Sequence, residues 1–243
     1  MSQATDKSVS ATEIVAYHKL TSGLYNFFSR LFHHEVDQEF LNLVLASVSN
    51  LPAFMGEESA LIALQQALSR LDAGADTLVE LASVYAKQFL GMHPSEKNVS
   101  LCQSVYTSPK HQTHQESLVA ARVSYNAEGL ALAEEEDIPD DHLSVLLAFL
   151  GRKAACIAAQ PMDFPQSSWM EPILAQASFR EKHLLNWLEA LLKRAESLMP
   201  SSFYTLWLHY LLEFANYDQW ESDLILADLS AGFLDNKSRL SAV

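Results

Sequence analysis

Hydrophobic residues recur at intervals of three and four along most of this chain of 243 residues, which is the spacing of helices that bury one face. The first such stretch begins after Ser10, which has capping-box spacing with Glu13, and it predicts a helix to about Phe32. No segment alternates polar and apolar residues as a half-buried strand does, so the pattern predicts an all-α protein of about ten helices in one globular unit. The other strong helices are predicted over residues 37–48, 57–71, 76–90, 113–132, 140–159, 178–198 and 203–217.

The helix ends and the aromatic side chains extend this pattern. Asp37 and Asp140 precede apolar runs and are predicted N-caps, because a carboxylate accepts hydrogen bonds from the free N–H groups of a first turn. Capping-box spacing recurs at residues 113–116 and 178–181. The aromatic residues predicted to lie in the core are Tyr25, Phe28, Tyr85, Phe89, Trp169, Trp187, Trp207 and Trp220.

Charge and cysteine content exclude several classes of function. The net charge of −14 and the pI near 4.9 oppose binding to a phosphate backbone, so we expect no nucleic-acid partner. An acidic surface favours basic partners, or simply keeps a protein soluble. Cys102 and Cys156 form no disulfide framework or metal-binding pair, which is typical of a reducing cytoplasm. A polar N-terminus and the lack of a run of ~18 apolar residues predict neither a secretory signal nor stable membrane insertion.

The most unusual stretch is "LAEEEDIPDDHLSVLLAFLG", residues 132–151, in which six carboxylates lie between Glu134 and Asp141 and an apolar run follows. Pro139 disfavours helical geometry at Ile138, so one helix is predicted to end before it and another to begin after it. Two interpretations remain open at this point. The stretch is either a capped helix behind a solvated acidic loop, or a recognition site that binds arginines at its rim and a hydrophobic segment inside.

Catalytic patterns are absent from the sequence. No histidine follows a glutamate at the Glu-x-x-His spacing of di-iron bundles, and there is no HExxH, GxSxG or phosphate-binding glycine loop. The adjacent Asp141 and His142 would point in different directions at a helix start, which disfavours an acid–base pair. The remaining candidate metal ligands, for which exposed loop histidines are the simpler interpretation, are His33, His34, His111, His114 and Cys102. The sequence therefore predicts no enzyme, no metal and no cofactor.

Four regions in the same order and spacing resemble the TorD/DmsD family of chaperones for redox enzymes. "PDDH" (139–142), followed by "LSVLLAFL", resembles the family's EPxDH motif, and "LASVYAKQFLG" with "SVYTSPKHQ" (81–112) resembles the helix and serine–tyrosine loop before the central hinge. "LYNFFSRLFHHEVDQEFL" (24–41) resembles the first helices, and residues 179–214 resemble the C-terminal helices. Two positions depart from the family: Ile138 replaces a glutamate, and "LC" (101–102) stands where a proline is usual.

The resemblance implies a division of the chain into two helical halves, residues 11–135 and 143–219, joined by a hinge at 136–142. A disordered N-terminus of residues 1–10 and a weak helix and tail over 220–243 would flank them. The hinge could let two copies exchange halves, which would give a domain-swapped homodimer.

The resemblance also implies a function. It predicts a cytoplasmic chaperone that binds the twin-arginine signal peptide of a molybdenum-containing oxidoreductase precursor, and also its apo body, and assists cofactor insertion before export. The alternatives are an assembly chaperone for a non-exported nitrate-reductase-type enzyme and a helical metal-dependent hydrolase. Guanine-nucleotide binding has been associated with the family, but the residues here contain no motif for it.

The site residues follow from the motifs that match. The carboxylates at 134–137, 140 and 141 would attract the arginines, and His142 would orient a carboxylate or the hinge by hydrogen bonds. The predicted residues for signal-peptide and partner binding are Ser104, Tyr106, Asp137, Pro139, Asp140, Asp141 and His142.

Overall fold

A computed structural model describes residues 9–54, 60–90, 98–108, 116–132 and 138–240. The described residues form α-helices and short connections without a β-strand, which confirms the predicted all-α fold. The helices are α1 (Ala11–His33), α2 (Gln38–Ser47), α3 (Ala60–Leu68), α4 (Ala75–Phe89), α5 (Gln103–Thr107), α6 (Glu116–Ala127), α7 (Leu143–Ala158), α8 (Met170–Arg180), α9 (Asn186–Leu198) and α10 (Phe203–Leu240).

The first two helices begin where the sequence predicts. The Ser10 hydroxyl accepts from the Glu13 N–H at 3.2 Å, and the Glu13 carboxylate accepts from the Ser10 N–H at 2.8 Å, so the capping box is complete. The Asp37 carboxylate accepts from the Phe40 N–H at 2.7 Å and caps α2. Local hydrogen bonds therefore determine both helix starts.

Helices α1 and α7 pack along each other and form the central pair of the fold. Serine hydroxyls of α1 donate to backbone carbonyls of α7, from Ser29 to Ser144 at 2.8 Å and from Ser22 to Gly151 at 2.9 Å. A Cβ atom on Gly151 would lie 2.7 Å from the Oδ1 atom of the exposed Asn26, so glycine lets this side chain rest closely against α7. Because α7 follows the acidic junction, α1 fixes the position of that junction.

The main core is rich in aromatic rings. Tyr25, Phe28, Trp187 and Trp207 are fully or almost fully buried, as predicted. Phe89 is partly buried and packs against Tyr85, Phe32 and Tyr204. The prediction for Trp220 is wrong, because its side chain is 55% exposed on the outer face of α10. Periodicity identifies the aromatic-rich faces but does not show how far along a helix the core extends.

A smaller second core joins the start of α1 to the far part of α10. The helix predicted to end near Tyr217 continues to Leu240, and beyond Tyr217 the side chains of Ile225 and Leu229 are buried in this core. Asp228 on this extension also accepts a hydrogen bond from the Val9 N–H at 2.7 Å. The buried residues of the second core are Ile14, Val15, Ile157, Trp169, Ile173, Ile225 and Leu229.

The end predicted for the helix over residues 113–132 is wrong. Helix α6 ends at Ala127 rather than near Leu132, because Gly129 adopts a φ of +70° and the Leu130 N–H turns back to the Tyr125 carbonyl at 3.0 Å. The capping box predicted at 113–116 falls largely on residues 109–115, outside the described residues.

Helix α8 begins earlier than predicted. It starts at Met170, with Pro172 tolerated in its first turn, so Ser178 lies inside the helix and does not cap it. The segment Glu181–Leu185 forms a π-helical turn that continues α8 directly into α9.

Candidate functional site

The acidic junction and the serine–tyrosine loop meet in front of α7. An isolated antiparallel bridge pairs Cys102 with His142. On either side of it, the Gln103 N–H donates to the Asp141 carbonyl at 3.0 Å, and the Leu143 N–H donates to the Leu101 carbonyl at 2.7 Å. The stretch that resembles the serine–tyrosine loop contains helix α5, which the sequence pattern missed because the helix has only five residues. The tertiary structure thus joins two predicted regions into one site.

Asp141 lies inside this site, with no exposed surface. Its Oδ2 atom accepts from the Ser104 N–H at 2.8 Å and from the Ser117 hydroxyl at 3.3 Å. The Asp141 Oδ1 atom and the Ser104 Oγ atom have no hydrogen-bond partner within the part of the chain that the structure describes. A ligand therefore reaches this carboxylate only if the segments that cover it move.

Asp140 lies at the rim of the site, and its side chain is 9% exposed. Its Oδ2 atom accepts from the Arg122 Nε atom at 2.9 Å and from the Arg122 Nη2 atom at 2.5 Å. Its backbone carbonyl accepts from the Tyr125 hydroxyl at 2.8 Å. The prediction that Asp140 caps α7 is wrong, because its carboxylate pairs with Arg122 and His142 occupies the N-cap position.

His142 caps α7 through its Nδ1 atom, which accepts from the Ser144 N–H at 3.3 Å. The Ser144 hydroxyl lies 2.8 Å from this atom and 3.3 Å from the His33 Nδ1 atom. Burial, followed by the nearby charge of His33, lowers the pKa of His142 to about 4. Since Asp141 and His142 bond to different partners, the geometry does not form an acid–base pair.

The other predicted site residues have separate positions. The Tyr106 hydroxyl donates to the Ser100 carbonyl at 2.9 Å, and its ring stacks on Trp187 with centroids 5.4 Å apart. Burial raises the pKa of Tyr106. The Pro139 carbonyl accepts from the His142 N–H at 2.9 Å. Asp137 lies in residues 133–137, outside the described residues.

An apolar pocket of about 180 Å³ adjoins the acidic rim, between the end of α6 and the outer face of α7. The rings of Tyr125 and Phe149 meet in its wall, with centroids 4.8 Å apart. Sequence reasoning did not single out this pocket or Arg122, because the residues that form them belong to different helices. The pocket is lined by Tyr125, Leu130, Ala131, Leu132, Val145, Ala148, Phe149 and Arg152.

The described residues also bear on metal binding and membrane insertion. They contain no group of three or more histidine, cysteine, aspartate or glutamate residues placed to hold a metal ion. His111 and His114, two of the candidate ligands, lie outside the described residues. No helix of the described chain has the length and apolar character that crossing a membrane requires.

Comparison with known proteins identifies the class. A family model described as "Nitrate reductase delta subunit" matches residues 55–193, which is more than half of the chain. The chain is 26% identical over 213 residues to the "Chaperone protein TorD" of Vibrio vulnificus (strain CMCP6), covering 85% of this chain and 96% of that protein. It is also 26% identical over 213 residues to the "Chaperone protein TorD" of Vibrio cholerae serotype O1 (strain El Tor Inaba N16961), covering 85% and 94%.

The chain belongs to this family of TorD-like chaperones for redox-enzyme maturation. It is a chaperone of molybdoenzyme maturation, not an enzyme. The family predicted from the four sequence regions is confirmed.

Proposed function

We propose that this protein binds, in the cytoplasm, the twin-arginine signal peptide of a molybdenum-containing oxidoreductase precursor, and assists cofactor insertion before export. One observation carries the proposal: the side chain of Tyr125 contacts both Asp140 at the acidic rim and the apolar pocket. Its hydroxyl bonds to the Asp140 backbone, and its ring lines the pocket. A signal peptide that carries arginines next to a hydrophobic segment matches both features.

Asp140 is the proposed ligand of a client arginine. Its carboxylate already accepts two N–H groups from a guanidinium, that of Arg122, so the geometry suits this group. Guanidinium–carboxylate bonds are charge-assisted and directional. The net charge of −14 would also attract a cationic peptide during approach. Asp137 and the glutamates before it would add to this attraction from their sequence position.

The pocket beside Tyr125 is the proposed site of the hydrophobic segment. Its volume of about 180 Å³ is similar to that of a cavity of ~150 Å³ that accepts benzene. It can therefore hold one large apolar side chain. Ala148 is an exposed residue of its wall, so the pocket is open to an incoming peptide.

Asp141, Ser104 and His142 are proposed to position this surface. Asp141 binds the backbone of the serine–tyrosine loop, and His142 caps α7 as a neutral ring. Both interactions hold Asp140 between α6 and α7. Tyr106 supports the same loop from beneath by stacking on Trp187.

Filling the pocket tests the proposal directly. We expect Ala148→Phe to weaken binding of a synthetic twin-arginine signal peptide by roughly tenfold to a hundredfold, because the apolar side chain of the peptide loses its buried site. Isothermal titration calorimetry with the full chain measures the Kd. Asp140→Asn, measured in the same way, removes the charge at the rim and should weaken binding roughly threefold to tenfold.

Each variant has a matched control. Ala155→Phe adds the same ring to an exposed position of α7 outside the pocket, and Asp163→Asn removes a charge from an exposed loop. Both controls should bind like the wild type. A wild-type protein that does not bind the peptide would contradict the proposed function. If Ala148→Phe and Ala155→Phe weakened peptide binding equally, the pocket would not be part of the binding site.

The family description favours a second candidate, an assembly chaperone for a non-exported nitrate-reductase-type enzyme. Such a client need not present two arginines. Replacing both peptide arginines by lysine separates the candidates, because a site built for guanidinium groups loses affinity and a site for an apolar segment alone does not. Co-purification from the native cell then identifies the enzyme that is bound.

We also propose that the chain acts as two halves joined at the hinge, residues 136–142, of which 136 and 137 are not described. The extensive contact between α1 and α7 crosses this hinge. Two copies could therefore exchange α7 and the helices after it and keep the same contacts. Light scattering after size-exclusion chromatography should show monomer and dimer that interconvert only through unfolding. A dimer that dissociates rapidly on dilution would contradict an exchange.

A further inference from the structure

We propose that Arg122 is an internal competitor for the client's arginine, and so regulates access to the acidic rim. This inference rests on the proposed function. Arg122 lies on α6 and donates from both Nε and Nη2 to the same Asp140 oxygen, at 2.9 and 2.5 Å. A client arginine would use the same kind of bond to the same carboxylate, so the two guanidinium groups compete.

The exposure of the two partners is unequal. The Asp140 side chain is 9% exposed and is held by the fold, whereas the Arg122 side chain is 58% exposed. The hydroxyl of Tyr125, one turn along the same helix, holds the Asp140 backbone in place. Arg122 can therefore swing into solvent while Asp140 stays where it is. Displacement changes the partner of the carboxylate without unfolding the site.

The pair also protects Asp140 when no client is bound. A nearly buried carboxylate is shielded from water, so its charge is destabilising unless another group forms an ion pair with it. Arg122 supplies that partner in the free protein, and the client's arginine supplies it in the complex. Because the ion pair is exposed on one side, displacing it costs little, and the competition should be mild.

Arg122→Gln tests the competition. We expect it to bind the twin-arginine peptide roughly twofold to sixfold more tightly than the wild type, by calorimetry on the full chain, because an exposed ion pair contributes that factor. Arg70→Gln makes the same change in net charge. Arg70 is exposed and is not part of the pocket lining. This control should not reproduce the gain.

A double variant shows whether Arg122 acts through Asp140. In the Asp140→Asn background, Arg122→Gln should leave the Kd unchanged, because there is no carboxylate to compete for. For the single variant Arg122→Gln, the affinity for a twin-lysine peptide should rise by the same factor as the affinity for the twin-arginine peptide. Both peptides must displace Arg122 from Asp140 in the wild type. The inference would be overturned if Arg122→Gln bound the peptide more weakly than the wild type, or if it raised the affinity by the full factor in the Asp140→Asn background. Peptide binding by the wild type would still support the proposed function in either case. Absence of binding by every protein would instead contradict the proposed function.

Discussion

Asp218→Ala should lower the free energy of unfolding by about 3–5 kcal/mol, the largest effect we expect from a single substitution away from the binding surface. Asp218 and Arg180 are both fully buried and form an ion pair. Removing the carboxylate leaves a guanidinium in the core without its counter-charge. Such a group loses the solvation of water and gains no compensating interaction.

The surrounding hydrogen bonds explain why the pair is central to the fold. Asp218 also accepts from the Tyr17 hydroxyl at 2.7 Å and from the Tyr25 hydroxyl at 2.5 Å. Arg180 also donates to the Ser222 hydroxyl at 2.8 Å. These contacts join α1, α8 and α10. Burial and the charge of Asp218 raise the pKa of Tyr25, so its hydroxyl remains a donor.

Urea unfolding at neutral pH measures this loss, with an exposed ion pair as the control. Glu189 and Lys193 pair across one turn of α9 at 2.9 Å, and both side chains are more than two-thirds exposed. Glu189→Ala should change the free energy of unfolding by less than about 1 kcal/mol. The double variant Arg180→Met/Asp218→Leu should recover part of the lost stability, because apolar side chains need no counter-charge. Recovery stays incomplete because the Tyr17 and Tyr25 hydroxyls lose their acceptor. Equal effects of Asp218→Ala and Glu189→Ala would contradict a buried pair.

Lowering the pH from about 6.5 to about 4 should destabilise the protein through two histidines. Burial lowers the pKa of both His142 and His183 to about 4, with smaller contributions from the charges of His33 and Lys182. The ordinary pKa of histidine near 6.5 describes the unfolded chain. Across this window the unfolded state binds more protons, so stability is present above pH 6.5 and is lost as the pH falls. Each histidine should account for about 2 kcal/mol of loss by pH 5.

Asparagine variants isolate the titration from the structure. In His142→Asn the amide oxygen replaces the Nδ1 atom as the cap of α7, since asparagine is a favoured N-cap. In His183→Asn the amide N–H replaces the Nδ1 donor, whose nitrogen lies 3.1 Å from the Gln103 Oε1 atom. The double variant should lose less stability than the wild type between pH 7.5 and pH 5, by chemical unfolding at each pH.

His34→Asn, at an exposed position, is the control and should keep the wild-type pH dependence. Some acid sensitivity should remain in the double variant, because burial also lowers the pKa of His18. An unchanged pH dependence in the double variant would show that neither ring is protonated during acid unfolding.

Local patterns predict the first part of the fold well. Helices α1, α2 and α4 begin within one residue of their predicted starts, because caps and apolar spacing depend on neighbours in sequence. The start of α8 and the end of α6 are missed for opposite reasons. The capping-box pattern at Ser178 predicted a helix start, but Ser178 lies inside α8. The apolar pattern after Ala127 predicted a longer α6, but the positive φ of Gly129 ends this helix.

The sequence likewise predicts part of the candidate site: it identifies the residues but not their roles. The motif resemblance selects Ser104, Asp141 and His142, and the structure places all three at one junction. Their separate roles do not follow from the sequence. Adjacent aspartates look equivalent there, but Asp140 reaches the rim and Asp141 is buried against the Ser104 N–H.

By itself, the sequence determined the helical class, the family and the position of the acidic junction, because periodicity, capping and ordered motifs are properties of neighbouring residues. Only the tertiary structure decided that Arg122 occupies the Asp140 carboxylate and that an apolar pocket lies beside it. These partners come from different helices, and their contact depends on how α6 and α7 pack. No pattern along the chain records that packing.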